Sequence, residues 1–83
     1  MNEHVVELTR ARWRGLVRRV ERVTLTPVGT TRIAIVVTEA DEVLRSSDRV
    51  YERDVDRDKA MRKLEEDFAA MGYRRDKADR NAA

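Results

Sequence analysis

Asn2-Glu3-His4-Val5-Val6-Glu7-Leu8-Thr9-Arg10-Ala11-Arg12-Trp13-Arg14-Gly15-Leu16-Val17-Arg18-Arg19-Val20-Glu21-Arg22-Val23 sorts its side chains by chemistry when wound into a helix. At about 100° per residue, Val5, Val6, Thr9, Trp13, Leu16, Val17, Val20 and Val23 fall within an arc of roughly 120°. Glu7, Arg10, Arg14, Arg18, Glu21 and Arg22 fill the opposite arc. Leu8 is the one large apolar residue outside the stripe. Gly15 and the valine content argue against a helix on propensity. Read as a strand, however, Leu8 to Arg14 sorts its apolar residues less cleanly. Burial of an apolar face commonly overrides propensity, so periodicity takes precedence. The expected element is an amphipathic helix with Asn2 as N-cap and Glu3 in its first turn.

Downstream, Val23 to Val28 and Arg32 to Thr38 are β-rich runs joined by a Gly29-containing connection, the pattern of a hairpin. Pro27 lacks an N–H for the ladder, which predicts a short or edge strand there. Ile33, Ile35 and Val37 share one face of the next strand and Ala34 and Val36 the other, so that strand should be central or covered on both sides. Glu39 to Arg53 reads in two ways. One is a turn at Glu39-Ala40-Asp41-Glu42 followed by a strand from about Val43 to Glu52; the other is a helix capped by Thr38. Ser46-Ser47-Asp48 is unfavourable in mid-helix, which favours the strand. A helix is expected from about Asp56 to Met71, with Ala60, Met61, Leu64, Phe68 and Met71 as its apolar stripe. Gly72 is the expected C-cap, and Tyr73 is placed to fold back on the last turn.

The expected fold is therefore a small single α+β domain over residues 1–73, ordered helix–strand–strand–strand–helix. It would be an antiparallel sheet with both helices on one face, followed by a flexible charged tail over 74–83. The same element order belongs to double-stranded RNA-binding domains. Their Gly-Pro-x-His loop and Lys-rich last helix have no counterpart in Pro27-Val28-Gly29-Thr30 or Asp56-Arg57-Asp58-Lys59-Ala60, so no family is assigned.

Composition narrows the function classes. With 83 residues and no cysteine, the chain lacks disulfides and cysteine-based zinc sites, and oligomerisation becomes the expected staple. Charge is high but mixed, 18 basic against 16 acidic residues, so the net +2 alone implies no polyanionic partner. No apolar run approaches the ~18 residues of a membrane span. Met1-Asn2-Glu3-His4 has no basic segment followed by an apolar block, so no secretory signal is expected and the cytoplasm is the default.

Among constellations, Arg10, Arg14, Arg18 and Arg22 stand four apart on the solvent side of the expected helix. They are the candidate contacts for nucleic acid or an acidic partner, with Arg12 and Arg19 flanking. Trp13, Leu16, Val17 and Val20 are the candidate core or interface anchors. Asp54, Asp56, Asp58 and Glu65 match the spacing of a calcium loop. The position needing glycine is Lys59, however, and the acids are better explained as helix-capping charge. His4 is the sole histidine, and no catalytic, cofactor-binding or metal-ligating set is visible.

The expectation is thus a non-catalytic module that binds a macromolecule, in the style of a bacterial or phage accessory or regulatory protein. It would be homodimeric through the uncovered part of the helical stripe and engage an unidentified protein. It would need no cofactor, membrane or small-molecule substrate. The alternative is nucleic-acid binding through the arginine-rich face.

Overall fold

The structure is a computed structural model and describes residues 5–75. It overturns the first expectation. Residues Val6–Arg14 form strand β1 and Val17–Val28 form strand β2, so the stretch read as a helix is an antiparallel hairpin. Arg32–Glu39 is β3, Glu42–Val50 is β4, Asp54–Ala70 is α1, and Arg74–Arg75 is the short strand β5. The sheet runs β4-β3-β2-β1-β5, antiparallel throughout, with a single helix among the described residues, on one face. The arrangement with two helices on one face is not present, nor is the element order shared with double-stranded RNA-binding domains.

The local chemistry explains the hairpin. Gly15 has φ +64°, and Leu16 is not among the residues of positive φ. With Arg14 opposite Val17, the loop has two residues, glycine first, as a type II′ turn requires. The β-branched residues that weakened the helix are favourable on a pleated surface.

Residues directly opposite one another share a sheet face. One layer of the helix-covered face therefore reads Val6, Leu25, Ile35, and the next reads Leu8, Val23, Val37. Leu64 and Tyr73 close over these residues, with Ala60, Met61 and Phe68 packed around them. Leu8, the outlier of the helical wheel, is one of the most deeply buried side chains.

Three later expectations fare differently. The turn at Ala40-Asp41 exists, and both residues have positive φ, as a type I′ loop requires. It is followed by the strand rather than the alternative helix. Pro27 lies in an interior strand, not an edge strand. Among the described residues the last β1–β2 pair is Val6 with Leu25, and Pro27 is paired with Ile33 of β3. The helix ends as its sequence implied. Gly72 N–H donates to the Ala69 carbonyl and Tyr73 N–H to the Phe68 carbonyl, the bond pair of a Schellman motif. Tyr73 then packs edge-on against Phe68 with ring centroids 5.4 Å apart. Arg74 and Arg75 continue into the sheet opposite Thr9 and Leu8, which takes in two residues of the expected tail. The remaining tail, His4 and the Asn2 cap lie outside the described residues.

The proposed homodimer rested on a helical stripe too long to be covered. That stripe does not exist, so the homodimer, and the accessory role attached to it, lose their support. Among the described residues no helix is long and apolar enough to cross a membrane.

Candidate functional site

Helix and core cover only one end of the β1–β2 hairpin. Beyond the layer of Leu8 and Val23 the helix-side face changes from apolar to charged, at Arg10 opposite Glu21. Glu21 is 6% exposed, a costly place for a carboxylate without a partner. Arg10 supplies that partner. Its Nε donates to Glu21 Oε1 at 2.7 Å and its Nη1 donates to the Met71 carbonyl at 2.6 Å. Its guanidinium also lies 4.4 Å from the centre of the Tyr73 ring. One side chain thus ties the hairpin to the end of the helix and fixes where the ribbon leaves the body.

This waist has a pH signature. Burial pushes the Tyr73 hydroxyl above its ordinary value of 10.0, and Glu21 adds to the push, while Arg10 and Arg12 pull partly back. Below pH ~10 the tyrosine is neutral in both the folded and the unfolded chain. Above that, the unfolded chain releases a proton that the folded chain retains, so this contribution to stability is lost as pH rises through the folded value. Urea unfolding should show stability declining above pH ~10 with a steeper slope for the wild type than for Tyr73→Phe. Equal slopes would mean that Tyr73 is not held neutral by its surroundings.

Just past the waist the Ala40 N–H donates to the Val20 carbonyl at 3.5 Å, and beyond that point the hairpin continues with no further strand beside it among the described residues. From the Arg10–Glu21 pair to the Arg14–Val17 pair it projects by about 13 Å at ~3.3 Å per residue, and every residue from Ala11 to Val20 is exposed. The molecule is correspondingly long, 46 × 28 × 22 Å. Four cross-strand pairs line this ribbon: Ala11 with Val20, Arg12 with Arg19, Trp13 with Arg18, and Arg14 with Val17. Between Arg10 and Arg22 lie six arginines and one glutamate, a net +5. The whole chain carries +2, so the rest carries −3. A chain of nearly balanced charge is therefore strongly polarised in sequence, and the fold turns that polarity into a projection.

The four arginines expected on one helical face are divided. Arg10 and Arg14 are on the helix-side face of the sheet, and Arg18 and Arg22 on the open face. Arg10 is committed to the waist, and Arg22 lies 3.6 Å from Glu7. Arg14 and Arg18 belong to the projecting part, together with Arg12 and Arg19. Arg14 and Arg19 both stand near Glu39, at 3.8 and 3.9 Å, and Arg12 stands 3.9 Å from Glu21, all too far for hydrogen bonds. Arg18 has no ion pair among the described residues. Like charges directly opposite, as in Arg12 and Arg19, are destabilising. Glu21 beside Arg12 and Glu39 beside Arg19 offset part of that repulsion, and a bound anion would offset more of it.

The four candidate anchors are all outside the core. Trp13 is 67% exposed and Leu16, at the apex, is 96% exposed, with Val17 and Val20 also open to solvent. Asp54, Asp56 and Asp58 lie in the first turns of α1. Asp56 pairs with Arg53, Asp58 with Arg57 and Glu65 with Arg75. Compared with protein-family models, curated proteins and solved structures, the chain gives no significant match to any of them. Function therefore has to be argued from the ribbon itself.

Proposed function

We propose that this protein binds nucleic acid, without catalysing a reaction, through the ribbon formed by β1 and β2. The observation that carries the reading is the net +4 of residues 11–20, from Arg12, Arg14, Arg18 and Arg19 with no acidic residue among them, displayed on a projection free of the helix. Arginine suits this role, because its planar fork grips phosphate oxygens in a bidentate way. β-Ribbons are also among the elements that proteins place in the major or minor groove of a duplex. Trp13, the single tryptophan, sits across from Arg18 and adds an aromatic face to the cationic surface.

The test is binding of labelled oligonucleotides across a salt series. If Arg12, Arg14, Arg18 and Arg19 each neutralise one phosphate, the slope of log affinity against log salt for a duplex should be about −3.6. For a single strand the same four contacts give about −2.8. No retention of DNA or RNA of either form at low salt would end the proposal.

A further inference from the structure

Resting on the nucleic-acid reading above, we propose a specific mode. The ribbon enters the minor groove of a DNA duplex apex first, and Leu16 wedges into a base step there and bends the duplex.

The apex consists of Gly15 and Leu16. Nothing lies within 4 Å of the position a Gly15 Cβ would occupy, so the tip is narrow and unobstructed. Leu16 is the most exposed large apolar side chain of the described residues. Neither glycine nor leucine has a side chain that can donate or accept a hydrogen bond, so no side chain at the tip reads base edges. An apolar side chain can instead fill the gap left when two bases unstack, which is how minor-groove proteins kink DNA. The cations are placed at the matching height. The Arg12–Arg19 pair is about 7 Å behind the Arg14–Val17 pair at ~3.3 Å per residue, and the minor groove is about 7.5 Å deep. With Leu16 at the groove floor, one residue beyond the Arg14–Val17 pair, Arg18 lies at about the level of the phosphates and Arg12 and Arg19 about 3 Å outside it, within reach of them. The two like charges then face the anions that relieve their repulsion.

Two other occupants fit less well. Inserting the apex into a bilayer would carry Arg14, paired with Val17, and Arg18, paired with Trp13, towards hydrocarbon. Single-strand platforms stack successive bases on several aromatics, whereas Trp13 is the ribbon's only one.

The experiment uses a duplex of about 30 bp, end-labelled for energy transfer, with the full chain and its Leu16→Ser variant. Leu16 is at an exposed turn position, so the variant leaves the core untouched. The wild type is expected to bend the duplex by roughly 20–90°. Leu16→Ser is expected to bind within about fivefold of the wild type but to lose most of the bend. A mismatch in the duplex lowers the cost of unstacking, and should tighten wild-type binding more than that of the variant. Binding without a bend, a bend indifferent to Leu16→Ser, or a tenfold preference for the same sequence as a single strand would overturn the wedge while leaving nucleic-acid binding intact. Binding to phosphatidylcholine–phosphatidylserine vesicles, with a blue shift of Trp13 emission and no retention of duplex or single strand, would overturn both.

Discussion

The double variant Arg14→Glu/Arg18→Glu is expected to bind oligonucleotides about 100-fold more weakly than the wild type at low salt, with the salt slope for a duplex falling from about −3.6 to about −1.8. The two residues are the most informative pair on the ribbon, because they come from opposite faces and from adjacent cross-strand pairs near the apex. Neither is part of the waist that fixes the hairpin. Arg14 stands 3.8 Å from Glu39 and more than half of its side chain is exposed, so its ion pair contributes little to stability. The melting temperature should therefore move by only a few degrees. The matched control is Arg45→Glu/Arg49→Glu, which makes the same change in net charge on β4, the strand farthest from β1 across the β2–β3 pair. That control should weaken binding by less than about threefold. If both double variants weaken binding equally, the effect is one of total charge and the ribbon has no special part in it.

How much of this was legible in the sequence depends on the element. Whereas the Ala40-Asp41 turn was one of two readings open for its segment, the helix, expected from about Asp56 to Met71 and found over Asp54–Ala70, its Gly72 cap and the returning Tyr73 followed from local chemistry, since each depends on residues within a few positions of one another. The hairpin did not. Trp13, Leu16, Val17 and Val20 have the three-and-four spacing of a helical stripe, but in the fold they point to unrelated places. Trp13 and Val20 lie on the open face, Val17 on the helix-side face and Leu16 at the apex. The periodicity was a coincidence of a two-residue turn between two exposed strand ends. Signals for the strand were present. Arg10, Arg12 and Arg14 alternate with period two, Val6 and Leu8 alternate with Glu7 and Thr9, and glycine followed by any residue is the signature of a type II′ loop. The wheel gave these no weight, because the exposed half of the ribbon carries apolar residues that no core requires. Those same residues mark the candidate site. The arginine-rich surface was recognised, but its division between two faces needed the register of β1 against β2.

The largest expected change in stability separates the two readings of this stretch. On the wheel, Leu8 lies outside the apolar stripe while Leu16, Val17 and Val20 lie within it. In the sheet, Leu8 sits across from Val23, one layer from the waist, and is 1% exposed. Leu8→Ala should then cost about 2–5 kcal/mol, the transfer free energy of the lost side chain plus the cavity left between β1, β2 and Tyr73. A chain of this length has a total stability of roughly 4–12 kcal/mol. Such a loss would lower the melting temperature by at least ~10 °C and leave a substantial unfolded population if the domain is at the lower end. In the sheet Leu16 and Val20 are exposed, so Leu16→Ala and Val20→Ala should each shift stability by less than about 0.5 kcal/mol. Chemical denaturation of the three variants distinguishes the two arrangements by order alone. A costly Leu16 or Val20 beside a harmless Leu8 would restore the helix and remove the ribbon. A costly Leu8 beside harmless Leu16 and Val20 would establish that the fold does not depend on the apolar apex, which leaves those side chains free for contact with a partner.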